Sequence, residues 1–112
     1  MTFVIRAKDK QQTVLAAGDE TTDTVIVLED NWYFAPDAVH SQYLKKTDRT
    51  YHCPYKGTAR WYDLDAPGFS ARNIAWVYEN ARPDYTHING YIAFYPRETS
   101  GTLASRDDDA SL

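Results

Sequence analysis

The sequence has little of what small domains use as covalent or metal staples. One cysteine occurs in 112 residues, so no internal disulfide can form, and zinc sites with two or more thiolate ligands need more cysteines than the chain has. The glycine-rich phosphate loops G-x-G-x-x-G and G-x-x-x-x-G-K-[ST] are also absent. We therefore predict no metal, no cofactor, and a fold that depends on its hydrophobic core.

Long apolar runs and an excess of positive charge are missing as well. No run approaches the ~20 apolar residues that cross a bilayer, and Met1–Lys8 lack the apolar core of a signal peptide. With 12 Lys and Arg against 16 Asp and Glu, the net charge is −4, which does not suit binding to phosphate backbones. We predict a cytoplasmic protein that binds neither a membrane nor nucleic acid.

Sustained helical periodicity is lacking, whereas period-2 alternation is frequent. No window long enough for a helix has apolar residues at i, i+3, i+4 and i+7, so only one or two short helical turns are expected. Seven or eight short, mainly antiparallel strands predict a small all-β domain, either a sandwich or a partly open barrel. The main candidates are Phe3–Ala7, Thr13–Ala17, Thr24–Leu28, Thr50–Cys53, Thr58–Leu64, Asn73–Tyr78 and Ile88–Tyr95.

The chain is expected to form one domain over residues 1–96. Residues 97–112 are polar with little to bury, so we expect a mobile tail there. Within the domain, Thr24–Leu28 and Asn73–Tyr78 are apolar at successive positions. A strand with two apolar faces is predicted to lie centrally and to be covered on each side.

The only cysteine lies in the stretch YHCPYKGTARW, residues 51–61. Pro54 and Gly57 suit a tight turn between two strands. Cys53 is a candidate nucleophile or redox thiol that Lys56 or His52 would activate. Because side chains alternate along a strand, His52 and Cys53 should face opposite sides, which weakens a direct pair. The alternatives are a small buried cysteine and a solvated lysine at a turn.

The aromatic content is high, with nine Tyr and three Trp. These side chains are too numerous and too amphipathic for all of them to be fully buried, so some should border water. Tyr55, Trp61, Trp76 and Tyr78 are candidates for the lining of a small-ligand site, with core packing as the alternative for each.

A metal site formed by His40, His52 and His87 is not indicated, because none has a ligand partner at i+2 or i+4. Asp37, Asp63, Asp65 and Asp84 are typical of turns, and no spacing pairs two of them.

Four blocks of the sequence resemble a known family. The blocks are WYFAPDAV, HCPYKGTARWY, IAWVYENARP and INGYIAFYP, and they are similar to the bacterial and fungal domain of unknown function 427, which some classifications label nucleotidyltransferase-like. The resemblance implies a tent-like, Mss4-like β fold. Relatives of that fold hold zinc on two Cys-x-x-Cys pairs, which this chain lacks, so no metal is carried over.

Three hypotheses follow for the function. The first is a module that binds a small polar or anionic molecule in an aromatic pocket beside the His-Cys-Pro-Tyr-Lys-Gly turn. The second is an enzyme that uses Cys53 as a nucleophile or redox thiol, or that transfers nucleotidyl groups as the family label suggests. The third is a purely structural motif, with function in the surface of a homo-oligomer.

Overall fold

Nine strands arranged in two antiparallel sheets make up most of the computed structural model, which describes every residue from Met1 to Leu112. The strands are β1 (Thr2–Ala7), β2 (Val14–Asp19), β3 (Val25–Leu28), β4 (Asn31–Phe34), β5 (Leu44–Cys53), β6 (Gly57–Ala66), β7 (Phe69–Tyr78), β8 (Ile92–Phe94) and β9 (Thr102–Arg106). Short 3₁₀ segments lie at Glu20–Thr22, Pro36–Ala38, Ser41–Tyr43 and Pro83–Ile88. The predicted small all-β domain is confirmed, with one or two more strands than expected.

The larger sheet has six strands in the order β3-β4-β8-β7-β6-β5. Its hairpins follow from local turn chemistry. Glu29 and Asp30 join β3 to β4 with positive φ angles of 52° and 65°, the backbone of a type I′ turn. Gly68 closes the turn between β6 and β7 with φ 75°, and Gly57 begins β6 with φ 114° after the turn at Pro54. Glycine adopts such angles without the steric penalty that other residues pay.

The smaller sheet has the order β2-β1-β9 and covers one face of the larger sheet. The apolar side chains between the two sheets form the main core, because alternate residues of each strand point inward. Its largest members that are nearly inaccessible to solvent are Ile5, Leu15, Phe34, Leu64 and Phe94. This packing uses only one of the two apolar faces of the larger sheet.

The opposite face of the larger sheet carries a second, smaller apolar cluster. It contains Tyr33, Cys53, Ala59, Trp76, Tyr78, Ala81, Ile88 and Ala93. No sheet covers this face. Among the cluster members that lie outside the strands, only Ile88, at the end of the 3₁₀ segment Pro83–Ile88, is fully buried. Aromatic rings therefore border an incompletely covered surface.

Two features of the fold depart from the sequence-based expectations. The run at Thr24–Leu28 was expected to be a central strand, but β3 is an edge strand and Val27 is 39% exposed. No strand was predicted beyond Pro96, yet β9 pairs with β1 from Phe3 to Ala7. The first error arose because an apolar run on an edge strand looks the same in sequence as one in the centre. The mobility expected of residues 97–112 stays a prediction.

No helix in the structure has the length and apolar character needed to cross a membrane.

Gly101 provides a test of how firmly the chain before β9 is docked. A Cβ at this position would lie 2.6 Å from Ala71 Cβ and 3.0 Å from Ile74 Cγ2. We expect Gly101→Ala to lower the free energy of unfolding by about 1–3 kcal/mol, because overpacking of a filled core is destabilising. Urea unfolding measures the effect.

The exposed neighbour Ser100 supplies the control, and Ser100→Ala should change stability by no more than about 0.5 kcal/mol. If Gly101→Ala is equally silent, the segment before β9 does not pack as described.

Candidate functional site

The uncovered face of the larger sheet brings the aromatic residues together through strand register. Trp61 of β6 pairs with Trp76 of β7, and Ala59 pairs with Tyr78. Because paired residues on neighbouring antiparallel strands point to the same side, these four side chains share one face. Tyr51 of β5 joins them, since it pairs with Ala59.

An irregularity in β5 fixes the position of the Trp61 backbone. The register between β5 and β6 shifts between Lys46 and Thr50. In that interval the Thr47 hydroxyl donates a hydrogen bond of 2.8 Å to the Trp61 carbonyl oxygen, and Arg60 Nη1 donates one of 2.9 Å to the Thr47 carbonyl oxygen. Bulges of this kind re-aim the side chains around them. Trp61 is thereby held at the rim of the face.

Small residues at the centre of the face leave a hollow between the rings. Ala59 and Ala93 are buried at positions where neighbouring strands carry Tyr or Trp. The resulting cavity has a volume of about 300 Å³. Its lining residues are Asn31, Tyr33, Tyr51, Cys53, Lys56, Ala59, Trp61, Trp76, Tyr78 and Tyr95.

Trp76 lies at the centre of the aromatic wall. Its ring centroid is 5.8 Å from that of Trp61, 4.8 Å from that of Tyr95 and 6.2 Å from that of Tyr33. The planes of Trp76 and Tyr33 are nearly perpendicular at 86°, an arrangement that aromatic pairs favour. Trp76 is only 6% exposed, so its position is fixed by neighbours on three sides.

The turn after β5 holds the sulfur of Cys53 at one end of the cavity. Burial raises the pKa of the Cys53 thiol, but backbone N–H groups of Lys56 and Tyr55 and the Lys56 charge outweigh burial, so its pKa is lowered. N–H groups and a cation stabilise the thiolate selectively. The turn is anchored from behind by a 2.8 Å hydrogen bond from the Arg82 N–H to the Lys56 carbonyl oxygen.

Lys56 is the charged group of the cavity wall. It is 9% exposed, and its ammonium forms an ion pair with the Glu29 carboxylate and lies 5.2 Å from the centroid of the Tyr85 ring. Burial lowers the pKa of Lys56, but the hydrogen bond and charge of Glu29 reverse this effect and raise the pKa overall. Lys56 is therefore a fixed cation at neutral pH.

Two buried tyrosines contribute hydroxyl groups to the cavity wall. Burial raises the pKa of Tyr33 and of Tyr78, so both phenols are neutral donors. Cys53 adds to the rise in the pKa of Tyr78, whereas the Trp76 side chain and the Lys56 charge partly oppose the rise in the pKa of Tyr33. Both side chains line the cavity, so each adds a phenol group to its wall.

Of the residues singled out from the sequence, the structure brings Cys53, Lys56, Trp61, Trp76 and Tyr78 into one cavity lining. It does not bring Tyr55 or His52 there. Tyr55 is 73% exposed at the turn, and the exposed His52 has its Nδ1 3.2 Å from Thr58 Oγ1. As expected from alternation, His52 and Cys53 face opposite sides. The roles of all seven residues stay predictions.

Sequence reasoning missed half of the lining, namely Asn31, Tyr33, Tyr51, Ala59 and Tyr95. A usable signal was present for two of them. Tyr51 precedes Cys53 by two positions and Ala59 precedes Trp61 by two, so alternation places each on the same face as its partner. Tyr33 lies in β4 and Tyr95 follows β8. These two strands pair although they are far apart in sequence, and a single sequence does not reveal that pairing.

The donor groups for a metal are dispersed. No group of three or more His, Cys, Asp or Glu side chains is placed to hold a metal ion. His40 Nδ1 lies 3.0 Å from the Val14 carbonyl oxygen, and Asp63 pairs with Arg49 and accepts from the Asn73 backbone N–H. The carboxylates therefore do not fit the paired arrangement that holds metal-bound triphosphate in nucleotidyl transfer.

Fold and cavity together define a small all-β domain with an aromatic hollow beside a cysteine-bearing turn. Residues 5–105 match the family described as a domain of unknown function, DUF427. The match extends over nearly the whole chain, and the protein belongs to this family. No curated protein matches the sequence at a significant level.

The lowered pKa of Cys53 can be used to test whether the Lys56 charge acts on the sulfur. In wild-type protein, the pH midpoint of alkylation by iodoacetamide should lie below the midpoint in Lys56→Met, because loss of the cation removes a group that favours the thiolate. Rates measured across pH give both midpoints independently of how slowly a buried thiol reacts.

His52→Ala is the control, and its midpoint should equal that of the wild type because His52 faces away from the sulfur. A midpoint unaffected by Lys56→Met contradicts the described arrangement.

Proposed function

We propose that this protein binds a small polar or anionic molecule in the aromatic cavity beside the Cys53–Lys56 turn. The cavity itself carries the proposal. Its volume of about 300 Å³ is at the lower end of the range for small-molecule sites, ~300–1,000 Å³. A ligand of one or two rings suits this size.

The chemistry of the lining supports a ligand with a flat part and a polar part. Trp61, Trp76 and Tyr95 offer ring faces and edges for stacking. At the other end, the Lys56 ammonium and the Tyr33 hydroxyl offer hydrogen-bond donors. A few polar groups set into an aromatic wall fix both the position and the orientation of a ligand.

A reactive thiol is the second candidate function. The observation that favours it is the lowered pKa of Cys53, which sits in the cavity lining with two backbone N–H groups and a cation beside it. A thiolate in a cavity that admits a small molecule could act as a nucleophile. We prefer binding, because the exposed His52 ring has its Nδ1 3.2 Å from Thr58 Oγ1, on the face opposite to Cys53.

Nucleotidyl transfer is the weakest candidate. The cavity lining contains no aspartate or glutamate, and metal-bound triphosphate needs paired carboxylates.

A pair of substitutions on one strand tests the binding proposal. Trp61 and its neighbour Tyr62 point to opposite faces of β6, and both are partly exposed. A set of one- and two-ring aromatic acids, amides and alcohols is titrated by two-dimensional NMR. Trp61→Ala should weaken every cavity ligand by about tenfold, because an aromatic contact contributes roughly 1 kcal/mol beyond its buried area.

Tyr62→Ala is the matched control, and it should leave the affinities within about twofold. The proposal is wrong if no compound of the set shifts the resonances of the cavity lining, or if both variants weaken binding equally.

A further inference from the structure

The ion pair between Lys56 and Glu29 is asymmetric in its exposure to water. The Lys56 side chain is 11% exposed, whereas the Glu29 side chain is 52% exposed. A charge that leaves its partner must be solvated again, and an isolated buried ammonium is costly. Glu29 can regain water by turning outward, but Lys56 cannot. The carboxylate is thus the exchangeable member of the pair.

The backbone on the two sides of the pair reinforces this asymmetry. Lys56 is held by the hydrogen bond from the Arg82 N–H, and its turn packs against Asn80–Arg82. Glu29 is a central residue of a two-residue turn at the edge of the sheet, with a left-handed φ of 52°. A glutamate is unusual at such an angle, which is more often adopted by Gly, Asn or Asp. The fold therefore presents Glu29 on a strained, exposed tip.

The charges around the cavity determine which ligand can replace Glu29. Lys56 is the one charged residue of the lining, and Glu29 reaches it from outside the lining. A cationic ligand would gain no interaction with Lys56, whose charge Glu29 already balances. A neutral ligand would leave the ion pair in place. Only an anionic ligand gains an interaction that Glu29 otherwise makes, since Lys56 needs one anion near it in either state.

We infer that the ligand is a small aromatic carboxylate whose carboxyl group replaces Glu29 on Lys56 while its ring stacks in the aromatic hollow. This inference rests on the proposed function and specifies its ligand class. Glu29 acts as a built-in competitor: it neutralises Lys56 in the empty protein and swings into water when the ligand enters. The carboxylate, being planar, accepts two hydrogen bonds, one from Lys56 and one from the Tyr33 hydroxyl.

The test uses naphthalene-2-carboxylate and its neutral isostere naphthalene-2-carboxamide, titrated into each variant by calorimetry. Glu29→Gln removes the competing charge, so carboxylate affinity should rise by about tenfold or more, because the ligand no longer has to displace an anion from Lys56. Carboxamide affinity should change by less than about twofold. Lys56→Met should abolish the preference for the carboxylate.

Asp30→Asn is the matched control. It makes the same change in net charge on the adjacent turn residue, which has no ion pair with Lys56, so neither affinity should change. Glu29→Gly is a second variant, since glycine tolerates the positive φ and also removes the carboxylate.

The outcomes separate the two proposals. If both probes bind the wild type and Glu29→Gln changes neither, the exchange is wrong while cavity binding stands. If Asp30→Asn raises carboxylate affinity as much as Glu29→Gln, the effect is one of net charge and the exchange is again wrong. If neither probe binds any variant, the exchange is wrong, and the proposed binding function is overturned as well only if the set of one- and two-ring compounds also fails to bind.

Discussion

The structure depends on a difference between the two faces of its larger sheet: one is covered by a second sheet and the other is not. Both faces are apolar, but the three-stranded sheet covers only one of them. The burial of apolar area drives the packing of the covered face, at roughly 25 cal/mol per Å². The other face keeps its aromatic rings close together, but the small side chains at its centre leave a gap between the rings. The cavity is the consequence of that arrangement.

The Cys53–Lys56 turn adds polarity at one end of this aromatic surface. Its backbone N–H groups and its lysine charge lower the pKa of Cys53, and both Cys53 and Lys56 line the hollow. Glu29 reaches the same lysine from a turn that is distant in sequence. One end of the cavity thus concentrates charge, and the other end consists of rings. The proposed ligand, with one charged and one flat part, would contact both ends.

Much of this arrangement follows from local sequence rules. Alternation predicts the strands, and Pro54 with Gly57 predicts the turn. The two apolar faces of Asn73–Tyr78 predict a central strand covered on each side. β7 is central and its neighbours Ala75 and Trp76 belong to different apolar clusters, but a second sheet covers only the face of Ala75. The same rule fails for β3, because its apolar run lies at a sheet edge. Strand order within a sheet depends on pairings between residues far apart in sequence.

The remaining omissions have the same physical origin. Residues 102–106 appear too short and polar to be a strand in isolation, and they become one because β1 offers a free edge. In the sequence, nothing distinguishes Glu29 from other turn residues, and only the fold places it against Lys56. Long-range pairings therefore decide which groups meet at the site, whereas local patterns decide only which groups are available.

Leucine substitutions at two alanines test whether a cavity separates the aromatic rings. Ala59 lines the cavity and Ala75 is buried in the core between the sheets, on neighbouring strands but opposite faces. In urea unfolding, Ala75→Leu should cost about 1–3 kcal/mol from overpacking, whereas Ala59→Leu should cost much less because the cavity admits the larger side chain. Equal losses of stability for the two variants would mean that the aromatic face is solidly packed and contains no cavity.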